Sequence, residues 1–475
     1  MIKFDQVSQC YLMGIKGVAM TSIAQILLDD GKQVAGCDVS DHFVTKNILD
    51  RLKLPIEIGF NHELPVSTEC VIYTSAHQGP HNPLVEQACQ REILTLSQAE
   101  VLAHYFNQKQ GIAVSGVGGK TTVSAMIAWI LDQLQLLPSF SVGVGEILGM
   151  TNTGRWQPAG RHFVAEADEY VVDPECGHDK RLMIPRFSYL KPCVNVCTNL
   201  EFDHPDVYLD LEHSKEVFKK YFLQTHPEGF LIFNQDSPNL SSLVSTINGL
   251  HKISYGLSPN SDCQLVGSRV ENQHSLGEIS YHKKVYQINL SFPGTYNLLN
   301  AIAACLAVET VGVDFGTALE VVNQFRGTKR RFEFVGQFQD ALCFDDYAHH
   351  PQEIVATIKA LTQWCPSRQI VVAFQPHTFS RTKQLFNEFV QALAQTPRLI
   401  LLDIFSSARE QPDNSISSSL LAKAIAQYSP HSVVEVISTV PELAKWCQKN
   451  LNKSNAFITM GAGDIYQVHE QLMMI

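Results

Sequence analysis

The sequence predicts an α/β fold in three domains, with Rossmann-like sheets in the first and last of them. The first observation is an alternation of short apolar, β-branched runs with helix-like runs through residues 1–107, which is typical of parallel sheets. The second is a pair of glycine-rich turns, at residues 14–20 and 116–122, each lying between an apolar run and a helix-like run. The length of 475 residues also fits about three domains of ordinary size.

Changes of pattern near residues 108 and 330 divide the chain, so we expect domains at 1–107, 108–329 and 330–475. Residues 230–290 have more β character than the segments around them. Strands are predicted at 10–13, 33–37, 70–74, 111–114, 163–166, 194–198, 342–345, 370–374, 399–402 and 456–460, and helices at 18–29, 122–134 and 297–311.

The composition is that of an ordinary globular protein, with 45% hydrophobic and 17% charged residues. A net charge of −11 argues against nucleic acid or an anionic membrane surface as a partner. We find no apolar stretch of membrane-spanning length and no secretory signal pattern at the start. The 12 cysteines contain no Cys-x-x-Cys pair and are typical of buried thiols in a reducing compartment. We therefore expect a cytoplasmic protein without membrane insertion.

Residues 114–122, which read Val-Ser-Gly-Val-Gly-Gly-Lys-Thr-Thr, have the pattern of a phosphate-binding loop. Such a loop presents backbone N–H groups and a helix N-terminus to a polyphosphate. Lys120 is expected to reach the terminal phosphates, and the Thr121 hydroxyl to bind Mg²⁺. The alternative is a turn that only reverses the chain. The interpretation favours an ATP or GTP site, whose candidate contacts are Gly116, Gly118, Gly119, Lys120, Thr121 and Thr122.

The earlier glycine turn, at residues 14–20, fits a diphosphate site less specifically. Lys16 stands where the dinucleotide fingerprint needs its second glycine, so a dehydrogenase is not indicated. Gly14 and Gly17 can still offer a helix N-terminus to a diphosphate, and Asp38 can accept a hydrogen bond from a ribose or sugar hydroxyl. The alternative is that both glycines only close a strand–helix turn.

Two groups of polar residues follow predicted strands of the second block. Residues 166–169 read Glu-Ala-Asp-Glu, and residues 199–204 end in Asp-His. Carboxylates at a strand end beside a phosphate loop are where Mg²⁺ is expected, because this ion binds a few oxygens together with phosphate oxygens. The three carboxylates at positions 166, 168 and 169 are candidate metal ligands, and His204 is a candidate metal ligand or anion contact, although a single histidine is often structural.

Taken together, the motifs resemble the Mur ligases of peptidoglycan synthesis along nearly the whole chain, and among them those that add L-alanine. Each motif is weak alone, but their order is specific. They lie at residues 14–20, 116–122, 166–169, 199–204, 293–301, 330–333, 345–351, 374–383, 403–405, 408–410 and 460–464.

The resemblance implies a UDP-sugar-binding Rossmann-like domain, a central P-loop ATPase domain and a C-terminal Rossmann-like domain that binds the amino acid. It also implies the reaction: ATP phosphorylates the lactyl carboxylate of UDP-N-acetylmuramate, and L-alanine attacks the acyl phosphate. The implied cofactors are ATP and Mg²⁺, the partners are small molecules only, and a monomer or a homodimer is expected.

The resemblance also implies roles for individual residues. Lys120, Glu166, His204 and Arg331 are the catalytic candidates, with Arg330 as an alternative to Arg331. Asn297, Asn300 and Asp346 would contact the nucleotide, and Thr121, Glu166 and His204 the metal. Ser75 belongs to a loop on the uridine side. His377 and Arg381 would hold the amino-acid carboxylate, for which a guanidinium is suited. The two arginines at 330 and 331 can also be read as a solvated pair, Asp345 as a structural acid, and the general base stays unassigned.

Several positions depart from the family pattern. Val117 and Gly118 replace the Thr and His that are usual in the phosphate loop, and Tyr296 stands where His is common. Tyr170 replaces a usual Ser, and the insert 173–192 is similar to ligases that reattach recycled murein tripeptide. Two alternatives therefore stay open, a tripeptide ligase and a nucleotide-binding relative without turnover. Sister ligases use a carbamylated lysine, and Lys219 lies in the corresponding neighbourhood without a secure alignment.

Overall fold

Three β-sheets follow one another along the chain in the computed structural model, which describes residues 3–174, 179–406, 410 and 412–473. The sheets have five, ten and six strands. Each is covered by helices, and the buried apolar side chains form clusters on both faces of the sheets. The predicted three-domain α/β class is confirmed.

The first sheet is entirely parallel, in the order β3-β2-β1-β4-β5. Its strands are β1 (Gln9–Met13), β2 (Gln33–Asp38), β3 (Ile56–Ile58), β4 (Cys70–Tyr73) and β5 (Leu94–Ser97). Its helices are α1 (Val18–Asp29), α2 (Lys46–Leu52), α3 (Pro83–Gln90) and α4 (Gln98–Phe106). Because β1 lies in the middle, the turn after it faces the point where the strand order reverses, which is where open α/β sheets bind ligands.

The central sheet has the order β15-β14-β13-β12-β11-β10-β6-β9-β7-β8. Its strands are β6 (Gln110–Ser115), β7 (Ser139–Ser141), β8 (Gly154–Arg155), β9 (His162–Glu166), β10 (Val194–Cys197), β11 (Phe230–Asn234), β12 (His251–Gly256), β13 (Cys263–Glu271), β14 (His274–Tyr281) and β15 (Lys284–Leu290). Its helices are α5 (Lys120–Gln133), α6 (Leu211–Phe222), α7 (Pro238–Ser245), α8 (Thr295–Glu309) and α9 (Phe315–Val322).

Strands β6, β9 and β10 are parallel neighbours in the middle of this sheet. They are buried on both faces, which explains their continuous apolar runs. Their carboxyl ends lie at one edge, so the phosphate loop after β6, the acids after β9 and the polar segment after β10 meet there.

The third sheet has the order β16-β17-β21-β18-β19-β20, with β16 antiparallel to its neighbour and the other strands parallel. Its strands are β16 (Glu333–Phe338), β17 (Ala341–Asp346), β18 (Gln369–Phe374), β19 (Arg398–Leu402), β20 (Val433–Ile437) and β21 (Asn455–Met460). Its helices are α10 (Pro351–Trp364), α11 (Phe379–Gln384), α12 (Phe386–Leu393), α13 (Ser418–Tyr428), α14 (Val440–Asn450) and α15 (Gln467–Met473).

The predicted elements agree closely with the observed ones where the sequence pattern is strong. Helix α1 has the predicted bounds, and α5 begins two residues before its predicted start at 122. The sequence did not single out β16 and β20, the two edge strands of the third sheet, whose half-exposed residues lack a continuous apolar run. Among the described residues, no helix combines the length and the apolar character needed to cross a bilayer.

Candidate functional site

The phosphate loop connects β6 to α5 through residues 116–119. Gly116 and Gly119 have φ values of 117° and 89°, which side chains rarely adopt. A Cβ on Gly119 would lie 2.8 Å from Asn300 Oδ1, so the loop backbone and α8 approach each other closely. The Gly118 N–H donates to Asn199 Oδ1 at 3.1 Å. Thr122 lies buried in the first turn of α5, behind the loop.

Lys120, the first residue of α5, extends back over the loop. Its Nζ donates to Gly116 O at 2.6 Å and to both carboxylate oxygens of Glu169 at 2.9 Å. Burial by itself lowers the pKa of Lys120, but the carboxylates of Glu169 and Asp168 raise it above its usual value. The lysine is therefore a fixed positive charge beside the loop.

Thr121 and Glu166 lie next to this lysine. The Thr121 hydroxyl donates to Glu166 Oε2 at 3.2 Å, and the Gly143 N–H donates to Oε1 at 2.7 Å. Arg331 comes from the region of the third sheet, and its Nη2 donates to Thr121 Oγ1 at 3.1 Å. Burial raises the pKa of Glu166, while Arg331 and the Gly143 N–H lower it. The Thr121 hydroxyl and the Glu166 carboxylate both offer oxygen ligands of the kind that Mg²⁺ binds.

Glu169, Asp203 and His204 form a second group of donors. One ligand atom of each lies within 4.8 Å of the others. His204 Nε2 is 4.0 Å from Glu169 Oε1 and 3.6 Å from Asp203 Oδ2. His204 has a φ of 55°, an uncommon value for a non-glycine residue, and its ring packs at 5.1 Å from that of Tyr170. Two carboxylates and an imidazole fit a divalent cation.

Arg381, on α11, is only 4% exposed and contacts this group. Its Nε and Nη2 both lie 2.9 Å from Asp203 Oδ1, and its Nη1 donates to the carbonyl of His377 at 2.9 Å. Burial raises the pKa of Asp203, but the Arg381 and His204 charges hold it well below its usual value. The structure thus brings both predicted amino-acid-binding residues to the edge of the central sheet.

The predicted nucleotide-side residues lie at the start of α8 and the end of β17. Asn297 Nδ2 donates to Pro293 O at 2.7 Å, and Asn300 Nδ2 donates to Asn297 Oδ1 at 3.3 Å. Asp346 accepts hydrogen bonds from the Ala348 N–H at 2.9 Å and from the Thr357 hydroxyl at 3.1 Å. Burial raises the pKa of Asp346 to about 7.

The two adjacent arginines have different surroundings. Arg330 is buried within the third-sheet region, where its Nε donates to Asp345 at 3.0 Å and its two Nη atoms donate to the carbonyls of Gly461 and Gly463. Arg331 instead reaches Thr121. Of the two predicted alternatives, Arg331 is the one beside the phosphate loop, and Arg330 and Asp345 form a buried pair.

The first glycine turn is internally bonded. Asp38 is 1% exposed and accepts from the backbone N–H groups of Lys16 at 2.7 Å and Val39 at 2.8 Å. The Lys16 Nζ donates to Val39 O and to Asp41 O at 3.2 Å. Gly14 has a φ of 80°, and Gly17 caps α1. Both predicted polar side chains therefore hold the turn together in this structure.

Several residues of the site were not assigned individual roles from the sequence. Glu169 and Asp203 lie within the motifs at residues 166–169 and 199–204. Their closeness in sequence to Glu166 and His204 was the signal that could have identified them. Glu353 of α10 lies beside Gly118, 3.2 Å from the position of a Cβ there, and nothing in the sequence predicted this approach. Of the 408–410 motif, only Glu410 lies within the described residues; it accepts from the Phe379 N–H at 2.6 Å. Lys219 lies in the last turn of α6.

Profiles of the Mur ligase family match three consecutive parts of the chain. The one described as Mur ligase family, catalytic domain, matches residues 9–110; the Mur ligase middle domain matches 114–308; the glutamate ligase domain matches 330–463. The UDP-N-acetylmuramate–L-alanine ligase of Carboxydothermus hydrogenoformans is 32% identical, over 98% of this chain and 96% of its own. That of Desulfitobacterium hafniense is 33% identical, over 98% and 99%.

Solved structures share the fold. The UDP-N-acetylmuramate–alanine ligase MurC of Thermotoga maritima superposes with a TM-score of 0.79 at 22% identity, over 98% of each chain. A murein peptide ligase of Psychrobacter arcticus gives 0.71 at 22% identity, also over 98% of each chain. The MurF ligase of Thermotoga maritima, solved in complex with ADP, gives 0.62 at 15% identity, over 100% of this chain and 98% of its own.

The phosphate loop is flanked by carboxylates and approached by arginines from the region of the third sheet, an arrangement that suits the chemistry of an ATP-dependent ligase. The full-length relatives specify the class further. The chain belongs to the Mur ligase family.

Proposed function

We propose that this protein joins L-alanine to the lactyl carboxylate of UDP-N-acetylmuramate, with ATP as phosphoryl donor and Mg²⁺ as metal ion. The observation that carries the proposal is the convergence of Lys120, the Glu169–Asp203–His204 group and Arg381 at one edge of the central sheet. The full-length similarity to curated L-alanine ligases, at 32% and 33% identity, supports this choice of amine.

The first step transfers the terminal phosphoryl group of ATP to the lactyl carboxylate, which brings two anions together. Fixed positive charge aimed at the transferring group lowers the barrier to such a step. In this proposal Lys120 contacts the terminal phosphates of ATP. These phosphates take the place of Glu169 as the partner of the lysine ammonium group. The N–H groups of Gly116, Gly118 and Gly119 and the N-terminus of α5 hold the remaining phosphate charge, with Thr122 behind them. Arg331 adds a second positive charge from the third domain.

The metal donors fit Mg²⁺, because they are mainly oxygen atoms beside a phosphate site. We assign Thr121 and Glu166 to one ion, and His204, with Glu169 and Asp203, to another. When bound, Mg²⁺ neutralises charge that develops on the phosphate oxygens. The Gly143 N–H orients the Glu166 carboxylate for this role by donating to one of its oxygens, Oε1, at 2.7 Å.

The second step is attack of the amine on the acyl phosphate, which forms the amide and releases phosphate. We assign the carboxylate of the amino acid to His377 and Arg381. Because Arg381 contacts Asp203, this assignment brings the amine close to the metal group. We assign the nucleotide to Asn297, Asn300 and Asp346, and the UDP-sugar to Gly14, Lys16, Gly17, Asp38 and Ser75.

The test is ATP-dependent phosphate release with UDP-N-acetylmuramate and Mg²⁺, comparing L-alanine with murein tripeptide. Release with L-alanine and not with tripeptide is the expected result. Release with tripeptide alone would show that the insert after Tyr170, which resembles the tripeptide ligases, determines the amine. ATP binding without release in either mixture would contradict both ligase assignments. Lys120→Ala serves as the inactive control.

We also propose domain boundaries after residues 107 and 329, a cytoplasmic location, and a monomer or homodimer. The breaks between the three sheets support the boundaries, since β5 and α4 end before residue 107 and β16 begins at residue 333. Limited proteolysis that cuts within these junctions supports the boundaries, and cuts only elsewhere count against them. Light scattering measures the oligomeric state.

A further inference from the structure

We propose that Arg186 is a positioning residue that aligns the UDP-sugar domain with the acidic segment of the phosphoryl-transfer site. The inference rests on the proposed function and extends it to a residue of the insert between β9 and β10. The guanidinium joins two parts of the site: Nη1 donates to Asp168 Oδ2 at 2.6 Å, and Nη2 donates to Ser75 Oγ.

The backbone of the insert holds Arg186 firmly against the acidic segment. The Arg186 N–H donates to Tyr170 O at 2.8 Å, and the Phe187 N–H donates to Asp168 O at 3.1 Å. Phe187 is 1% exposed and stacks on Tyr221 of α6, with ring centroids 4.2 Å apart. The arginine therefore starts from a fixed point on the central domain.

The side chain itself is also constrained. Its guanidinium lies 5.5 Å from the ring centroid of Tyr170, a cation–π distance. The arginine side chain is 14% exposed and that of Asp168 is 37% exposed, so the ion pair is shielded from solvent mainly on the arginine side. A planar guanidinium suits this place because it can bond two acceptors in different directions at once.

Ser75 is the acceptor on the other domain. It follows β4 at the carboxyl edge of the first sheet and is 5% exposed. That edge is where a UDP-sugar is expected, whereas Asp168 lies between Glu166 and Glu169 of the candidate metal groups. The Ser75–Arg186–Asp168 chain therefore spans the gap that the lactyl carboxylate must cross to reach the terminal phosphate of ATP.

A small error in this alignment affects catalysis strongly, because in-line transfer requires the reacting atoms in near-contact geometry. Loss of Arg186 should act on the UDP-sugar and not on ATP, whose candidate contacts lie on α5, α8 and β17. We expect Arg186→Ala to lower kcat/KM for UDP-N-acetylmuramate by roughly tenfold or more and to change KM for ATP by less than about twofold. Arg186→Lys keeps the charge but lacks the planar guanidinium that bonds two acceptors at once. Its kcat/KM for UDP-N-acetylmuramate should therefore lie between those of Arg186→Ala and wild type.

The decisive measurement is a double-mutant cycle with Ser75→Ala. If the two residues act through one link, the double variant loses no more activity than Arg186→Ala alone. Arg181→Ala is the matched control, because Arg181 is an exposed arginine of the same insert and should behave as wild type. The inference is overturned if the losses of the two single variants multiply in the double variant. It is also overturned if Arg186→Ala affects the KM of ATP and of the UDP-sugar equally.

Calorimetric binding of UDP and of UDP-N-acetylmuramate, without amine, separates this inference from the proposed function. Unchanged UDP binding by Arg186→Ala with weaker binding of the muramate supports the inference and excludes general damage to the first domain. Equal muramate binding by wild type and variant, together with equal turnover, overturns the inference and leaves the function standing. No muramate binding by wild type overturns both.

Discussion

The guanidinium of Arg381 lies against the carboxylate of Asp203, with Nε and Nη2 both 2.9 Å from Oδ1. Arg381 belongs to the third domain and Asp203 to the polar segment after β10. The contact joins the residue proposed to hold the amino-acid carboxylate to the neighbour of His204. One side chain therefore connects the amine side of the site to the candidate metal group.

Replacing Arg381 should affect both the amine and the fold. We expect Arg381→Ala to raise KM for L-alanine much more than KM for ATP, because a ground-state contact is removed. It also leaves the buried Asp203 carboxylate without its main partner, a change that costs about 3–5 kcal/mol in comparable buried pairs. Steady-state kinetics and thermal melting measure the two effects. Equal increases in both KM values would count against the assignment.

The same pair predicts a pH dependence of stability. Because the pKa of Asp203 lies well below its usual value in the folded protein, its stabilising contribution is fully present above the unfolded pKa, about 4. The contribution is lost as the pH falls from there through the folded pKa. The Tm difference between wild type and Arg381→Ala should therefore be largest at neutral pH and shrink in acid. A difference that is constant from pH 7 to pH 3 would contradict this account.

Lys120 should be essential for turnover. We expect Lys120→Ala to reduce phosphate release by roughly 10³-fold, as for loss of a donor aimed at transition-state charge. The variant also leaves Glu169, whose side chain is 3% exposed, without its lysine partner, so some loss of Tm is expected. The double variant Lys120→Ala, Glu169→Gln removes the unpaired charge. It should recover Tm without recovering activity; recovery of both would show that Lys120 is structural.

Gly116 and Gly118 should respond differently to alanine. Gly116 has a φ of 117°, and a Cβ there would collide with Thr198 and lie 2.9 Å from Asn199 N and O. Gly118 does not have a φ in this range. A Cβ there would make one close contact, 3.2 Å from Glu353 Oε1. We expect Gly116→Ala to lower Tm and abolish ATP binding, and Gly118→Ala to change ATP affinity only a few-fold, because Glu353 can shift. Calorimetry and melting measure this matched pair. Similar losses in both variants would contradict the loop geometry.

Asp346 should destabilise the protein increasingly as the pH rises. Burial raises its pKa to about 7, so the folded state favours the protonated carboxyl. The loss in free energy of unfolding caused by ionising this buried carboxyl is absent below the unfolded pKa, about 4. It grows between that value and pH 7. Above pH 7 it is constant, on the order of 4 kcal/mol. Asp346→Asn should therefore gain Tm relative to wild type between pH 5 and pH 8. A pH-independent difference would show that the carboxyl titrates normally.

Much of the fold could be predicted because its signals are local. The apolar run before residue 115, the glycines and the Lys-Thr pair specify a strand, a loop and a helix within one short segment, and α1 matches its predicted bounds. The edge strands β16 and β20 were not predicted because one side of each is open to solvent, which weakens the apolar pattern.

The sequence by itself determined the α/β class, the phosphate loop, the order of the motifs and the family, because each depends on residue types at short spacing. Only the tertiary structure decided which side chains meet across domains: Arg331 with Thr121, Arg381 with Asp203, and Arg186 with Ser75. It also distinguished Arg330, buried against Asp345, from its neighbour Arg331. The three pairings across domains join residues 111 to 210 positions apart, and the packing of three sheets, not local spacing, determines such contacts.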